Sequence, residues 1–411
     1  MKTSRSDSPR LKRSLSLPLL TFYGLGTILG AGIYVLVGKV GGSAGMYLPV
    51  AFFLAAVLAS LSALSYAELS ARYPLSAGDA VYVQQGFGRA WLSRLVGLLV
   101  VLASIVSVAT LVHGFAGYLD VFFPVPSLGV VVLCTLVLGG IAAWGISQSV
   151  VLAALLTVVE IGGLLLILWV ARGSLADLPA RWPELVPPLD IPVWHGIVLG
   201  SVIAFYAFIG FEDIVNVAEE VHDPSRNLPR AILLALVVTT LAYLVVALAA
   251  ILTLPPSQLA QTDAPLAMLY THLTGQAPLV ITVISLLSVL NGALIQIIKS
   301  SRVLYGMSRQ GWLPAILARV HPVTRTPLVA TVLVTGIVLL FGLWLPLLSL
   351  ARLTSFLTLI VFSLINLALW QVKRRDPRPA GIRPIPLWVP VAGFLASGGL
   401  VIYQAAYFAW D

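Results

Sequence analysis

The chain is poor in charge and has almost no cysteine: 10% of its 411 residues are Asp, Glu, Lys or Arg, and Cys134 is the single thiol. One cysteine within an apolar run has no partner for an intrachain disulfide and offers no cysteine metal site. His113 and His195 stand alone near the ends of apolar runs and receive no ligand role. No nucleophile-base pair or metal set stands in the apolar stretches, which argues against an enzyme. What is abundant is apolar: 59% of residues are hydrophobic and the mean hydropathy is +1.00, far above soluble domains. These values describe an integral membrane protein embedded in a lipid bilayer.

Crossing about 30 Å of hydrocarbon takes roughly 20 apolar residues in a helix. Segments of that kind fall at 18–40, 47–70, 92–117, 127–145, 149–171, 193–217, 230–253, 277–304, 327–346, 348–371 and 386–409. The expectation is therefore an all-α polytopic membrane protein with about eleven transmembrane helices. The basic stretch before the first span superficially resembles a signal peptide, but ten further spans make it the start of a polytopic protein. With this threading, twenty of the 24 Lys and Arg residues lie on the side of the N-terminus, and only Lys39, Arg172, Arg181 and Arg352 on the other. The positive-inside rule then puts the N-terminus in the cytoplasm. The net charge of +8 follows from this asymmetry and does not point to nucleic acid. An odd number of spans puts Asp411 outside, unless 348–371 is re-entrant.

Two spans are interrupted by glycine near their middles. The first carries Gly24, Gly26, Gly30 and Gly32, and the sixth carries Gly210 just before Glu212 and Asp213. A helix broken inside a bilayer leaves amides and carbonyls that hydrocarbon cannot solvate, so a polar ligand belongs there. The glycines also have a plainer use in close helix packing, as in Gly26-x-x-x-Gly30. Matching breaks in two halves favour the binding reading. Amides of the half-helix beginning around Gly30, Ala31, Gly32 and Ile33 would face a carboxylate. Carbonyls near Ile28 and near Tyr206 and Phe208 would face an ammonium. Both groups on one carbon describe an α-amino acid better than a sugar or a lipid. The run Gly24-Leu-Gly26-Thr-Ile-Leu-Gly30 only approximates a dinucleotide fingerprint, with its third glycine one residue late and no strand-helix unit around it.

The first of these segments, Gly24-Leu-Gly-Thr-Ile-Leu-Gly-Ala-Gly-Ile-Tyr-Val-Leu-Val-Gly38, resembles the first helix of the amino acid/polyamine/organocation permeases, especially their cationic amino acid transporter branch. Three more stretches agree in order: Tyr66-Ala-Glu-Leu-Ser-Ala-Arg-Tyr-Pro74 with the loop Ser76–Tyr82, Phe205–Asp213 with Ala218–Arg230, and Asn291-Gly292 with Ser301–Gly311. The resemblance covers most of the chain and implies a five-plus-five inverted-repeat (LeuT-like) core that works by alternating access. On that plan 1–17 is a cytoplasmic basic N-terminus, 18–171 the first repeat, and 172–192 an extracellular connection. Residues 193–371 form the second repeat, and 372–411 a cytoplasmic basic loop with helix 11. The resemblance also implies an aromatic lid from the stretch holding Phe205, Tyr206, Ala207 and Phe208. Spacing alone puts Phe205 and Phe208 on one helix face, with Tyr206 on another.

Ionisable residues within a bilayer are costly and invite a functional reading. Glu160 lies midway along the fifth span, where many members of the resembled family carry a lysine; here the sign is reversed. It is expected either to titrate, carrying a proton or helping to bind Na+ with Ser300 or Ser301, or to pair with Lys299. Snorkelling to the cytoplasmic surface beside Arg302 is the alternative for Lys299. An acid matching Glu212 contributes to the inner gate or proton pathway in the resembled family. Glu219, Glu220, Asp223, Arg226 and Arg230 are expected to latch the cytoplasmic side through ion pairs. Asn291 needs a hydrogen-bond partner, as cavity lining or as interhelical glue.

The expected function is secondary active transport of an amino acid, as a proton symporter or an exchanger. No cofactor is expected beyond a coupling ion, H+ or Na+, and the oligomeric state is open. The lack of an evident second carboxylate for a basic side chain tilts the substrate toward neutral amino acids. A carrier of polyamines or other amines on the same fold, and a sensor that binds without cycling, are the alternatives.

Overall fold

The computed structural model describes residues 11–120, 126–262, 264–344 and 347–410. Regular structure among them is helical, apart from one isolated parallel bridge between Leu15 and Val221. The chain opens with α1 (Leu17–Ala44), α2 (Leu48–Arg72), a short buried α3 (Gly78–Phe87), α4 (Ala90–Asp120), α5 (Ser127–Trp144) and α6 (Ile146–Val170). Two short helices, α7 (Arg172–Ala176) and α8 (Leu178–Arg181), lead to α9 (Ile191–Tyr206) and a 3₁₀ segment at Phe211–Glu220. Then come α10 (Pro224–Thr253), the short α11 (Pro256–Gln261) and α12 (Pro265–Thr274), and the long α13 (Leu279–Arg309). The last three are α14 (Leu328–Trp344), α15 (Leu347–Arg375) and α16 (Trp388–Trp410).

Among the described residues ten helices are long and apolar enough to cross a membrane, and α14 is a further apolar helix of 17 residues. At 1.5 Å per residue α14 is about 26 Å long, the short end of the spanning range. Asp411 lies outside the described residues. Proline sets several starts: Pro18, Pro49, Pro192 and Pro224 occupy the first turns of α1, α2, α9 and α10, where the missing N–H breaks no helical bond. Ser76–Tyr82, read from sequence as a loop, instead enters α3, whose Gly78, Asp79 and Tyr82 are buried.

Both expected interruptions are present. α1 loses helical geometry at Gly30 (φ −11°, ψ −144°). α9 ends at Tyr206, and residues 207–210 form turns in which the N–H groups of Ala207, Phe208 and Ile209 donate to the carbonyls of Ala204, Phe205 and Tyr206. Gly210 then takes φ +135°, a region that a side chain opposes, and the chain resumes as a ten-residue 3₁₀ helix. Around these breaks α1 packs against α6, α9, α10 and α13, so the first span sits at the centre of the apolar core.

On the side of the molecule that carries the N-terminus, three segments are tied together. The N–H groups of Ser14 and Leu15 donate to the Glu220 carbonyl (2.9 and 3.0 Å), and His222 N–H donates to the Leu15 carbonyl (3.0 Å). The Glu220 carboxylate pairs with Arg302 of α13 at 3.4 Å, and neither side chain has any exposure. Glu220, one of the residues expected to form ion pairs here, does so, with a cation from α13 and not with Arg226 or Arg230. Tyr305 adds a hydrogen bond to Glu219 (3.2 Å). Removing one partner of a sealed ion pair strands the other, at a cost of about 3–5 kcal/mol. Arg302→Met is therefore expected to lower the unfolding midpoint of the purified protein sharply, while Arg302→Met with Glu220→Met recovers most of the loss in a double-mutant thermal-denaturation cycle.

Candidate functional site

The two breaks face each other. A Cβ added to Gly32 would stand 3.1 Å from Ala207 Cα, and one added to Gly210 would stand 2.8 Å from Thr27 Cγ2, so glycine at both positions lets the interruptions close on one another. A Cβ at Gly30 would meet nothing within 4 Å, because a cavity of about 90 Å³ opens there. Its wall takes Thr27, Ile28, Gly30 and Gly32 from α1, and Tyr206, Ala207, Ile209 and Glu212 from the interrupted sixth span. It takes Ala103, Ser104, Ser107 and Leu111 from α4, Gly292, Gln296 and Lys299 from α13, and Thr354 and Thr358 from α15.

The carbonyls exposed by the breaks already have one common partner. Tyr243, buried in α10, points its hydroxyl at the Ile28 carbonyl (2.6 Å) and the Ala207 carbonyl (3.0 Å). The Tyr206 carbonyl accepts from Ile209 N–H (3.2 Å). Each carbonyl keeps a second lone pair. Sequence reasoning missed Tyr243, which lies 36 residues after Ala207 in the middle of a spanning helix; a lone tyrosine there carries no signal of its target.

The aromatic stretch divides differently from the expected lid. Phe205 packs edge-on against Phe362 (centroids 6.4 Å), while Phe208 packs against Tyr243 (5.1 Å). Both are buried, neither lines the cavity, and Tyr206 does. The i, i+3 rule fails here because the helix ends at Tyr206, so Phe208 belongs to the turn. Ile33 is fully buried in the core away from the cavity wall, the side chain of Ala31 lies outside the described residues, and Gly210 turns the chain without lining the cavity.

The charged groups are also rearranged. Lys299 does not pair with Glu160 and does not snorkel: it is 6% exposed, in tight contact with Asp213 Oδ1 and 3.4 Å from Glu212 Oε1. Gln296 donates to Asp213 Oδ2 (2.8 Å), and Gly210 N–H donates to Glu212 Oε2 (2.8 Å). Asp79 stands beside this group, accepting from Tyr66 (2.5 Å) and Asn216 (3.4 Å), and shares a smaller cavity with Glu212 and Lys299. Glu212 is thus a carboxylate in the cavity wall, and it already has a cation of the chain's own in Lys299.

Glu160 occupies a separate cluster between α1, α6 and α13. Its Oε1 accepts from Asn291 Nδ2 (2.9 Å), which also donates to Thr157 (3.1 Å), and its main-chain carbonyl accepts from the Tyr34 hydroxyl (2.8 Å). Glu160 has no exposure, and its Oε2 lacks a hydrogen-bond partner. Ser300 and Ser301 are not brought to it: they bond the Gln296 and Ile298 carbonyls in their own helix. They also lie nine and ten residues beyond Asn291, roughly 14 Å along the axis. Lys299 is nearly as far for the same reason, which is why the expected pair does not form.

A polytopic helical membrane protein whose two interrupted spans border one internal cavity with polar groups in its wall has the form of a small-solute carrier. Residues 15–409 match the family model described as amino acid permease, and the chain belongs to that family of transporters, which are not enzymes. It is 28% identical to the branched-chain amino acid permease BcaP of Bacillus subtilis, over 90% of this chain and 83% of that one. It is 31% identical to cationic amino acid transporter 2, vacuolar, of Arabidopsis thaliana, over 91% of this chain and 62% of the longer relative. A third relative, the methylthioribose transporter of B. subtilis, is 28% identical over 96% of this chain and 88% of its own length. Three relatives at similar distance carry names for three kinds of solute.

Tyr243→Phe keeps the ring contacts but withdraws the shared hydroxyl from two buried carbonyls. A loss of about 1–3 kcal/mol is expected, read as a lower melting temperature of the purified protein with its helical circular dichroism retained.

Proposed function

We propose that the chain is a secondary active transporter that carries an α-amino acid by alternating access on a five-plus-five inverted-repeat scaffold, in the plasma membrane with its N-terminus cytoplasmic. The observation that supports it most is the meeting of both interruptions at one cavity. The half-helix that begins after Gly30 has its positive end at the break, suited to a carboxylate. The carbonyls of Ile28 and Ala207 keep lone pairs on the opposite side, suited to an ammonium. A zwitterion matches both, whereas a polyamine leaves the positive helix end unmatched. The excess of basic residues on the N-terminal side supports the orientation.

Glu160 is the coupling residue in this reading, with H+ as the coupling ion. A fully buried carboxyl that accepts from Asn291, has a second oxygen without a partner and touches no cation among the described residues fits as the neutral acid. When the alternate conformation admits water to it, the proton leaves and the cycle gains a driving force.

Counterflow in proteoliposomes tests the transport reading: preloaded unlabelled amino acid is expected to accelerate uptake of labelled amino acid. No acceleration by amino acids, or acceleration by polyamines alone, overturns it. Glu160→Gln preserves the Asn291 hydrogen bond and is expected to flatten the pH dependence of uptake in sodium-free buffer. A pH profile unchanged from the parent, or an absolute need for Na+, removes Glu160 from proton coupling.

A further inference from the structure

The far wall of the cavity presents a charged lysine, and its surroundings bear on which side chain a substrate can carry. α4 and α13 run antiparallel in close contact. A Cβ at Gly97 would strike the Met307 side chain, and one at Gly292 would lie 3.5 Å from Leu111 Cδ1. Position 97 is therefore level with 307, and 111 with 292. Two α-helices rise equally per residue, so Ser104 stands level with Lys299 and Ser107 level with Gln296. The cavity residues recur at helical spacing, 104, 107 and 111 on one helix and 292, 296 and 299 on the other, which makes each set a single face.

This wall sets four polar side chains, Ser104, Ser107, Gln296 and Lys299, among apolar surface, and they are only partly satisfied. Ser104 is 2% exposed, lines the cavity, and its hydroxyl has no hydrogen-bond partner. The Lys299 ammonium has three donors, two of them directed to Asp213 and Glu212. Gln296 spends its amide N–H on Asp213 and retains its carbonyl oxygen. Among the described residues Glu212 Oε1 is engaged by Lys299, at 3.4 Å. Donors and acceptors therefore stand side by side at one end of the cavity.

We propose that Lys299 acts as a tethered cation that fills the place of a substrate's cationic side chain, so that the permease selects amino acids whose side chain ends in an uncharged hydrogen-bonding group, a carboxamide fitting best. The inference rests on the amino acid transport reading above. A carboxamide oxygen accepts from Lys299 and Ser104, and its NH₂ donates to Glu212 and Gln296. A branched aliphatic side chain would bury these groups unmatched, at about 1–3 kcal/mol for each one stranded. An acidic side chain meets Glu212 at the wall, and Lys299 beside it is already engaged by Asp213 and Glu212. A basic one meets the Lys299 ammonium, which Asp213 holds at the wall.

The test is competition for binding to the purified full-length protein by glutamine, asparagine, leucine, lysine and glutamate. Glutamine or asparagine is expected to bind tightest. Ser104→Ala is expected to weaken carboxamide binding roughly fivefold, the worth of about one hydrogen bond, with leucine little changed. The charge-neutral double variant Lys299→Met with Asp213→Asn leaves Glu212 without its cation and is expected to gain lysine binding by about tenfold or more. Tighter binding of leucine, lysine or glutamate to the parent, or an equal effect of Ser104→Ala on every ligand, overturns this inference and leaves amino acid transport standing. Binding of none of the five sinks both. Should the double variant fail to fold, the parent panel and Ser104→Ala still decide.

Discussion

Peptide groups cannot be left bare in hydrocarbon, and the arrangement of this molecule's centre follows from that constraint. Two spans give up helical bonding at Gly30 and at residues 207–210, and each freed group needs another partner. Tyr243 meets one carbonyl from each break, the Glu212 carboxylate meets the Gly210 amide, and local turns meet others. Gly32 against Ala207 and Gly210 against Thr27 allow the two irregular segments to approach closely enough that one hydroxyl serves both. A site of this kind is a by-product of backbone chemistry before any side chain contributes selectivity.

The buried charges beside the cavity are organised around α13, while a second buried set, Glu68 with Arg72 and Lys373, ties α2 to α15. Lys299 and Arg302, three residues apart, both bond acids of the Phe211–Glu220 segment, so the second half of the interrupted span is held to one helix at two points. The main-chain bonds of Ser14 and Leu15 add the N-terminal segment to the same assembly. Glu160 stands apart, bonded to Asn291 and close to Tyr34. The two clusters share α13 but are separated by more than two helical turns, and each has its own chemistry: one a network of paired acids and cations, the other a lone acid.

The sequence made the spans and both interruptions legible because a lipid core imposes length and hydropathy on any helix that crosses it, and because Gly30, Gly32 and Gly210 are the residues a break requires. Partnerships between side chains were another matter. Lys299 could be placed on the inner half of its helix, yet whether it met Glu160, water or Asp213 depended on helix rotation and on the axial distance from Asn291, which one chain's sequence does not encode locally. Phe205 and Phe208 were grouped by a periodicity that ends one residue after the first of them. Ser104, Ser107, Gln296 and Tyr243 carried no signal at all, being ordinary polar residues in apolar helices until the packing of α4 on α13 aligned them.

The 3₁₀ form of Phe211–Glu220 has a mechanical corollary. Ten residues wound at three per turn extend about 20 Å, against about 15 Å for an α-helix, so rewinding would shorten the segment by about 5 Å, close to one helical pitch. It would also reorient side chains, since 120° per residue becomes 100°, and between Asp213 and Glu220 the difference accumulates to about 140°. Two acids now aimed at one neighbouring helix could not both stay aimed there. The coil count and the salt contacts of the segment are thus interlocked, so that neither can change by itself.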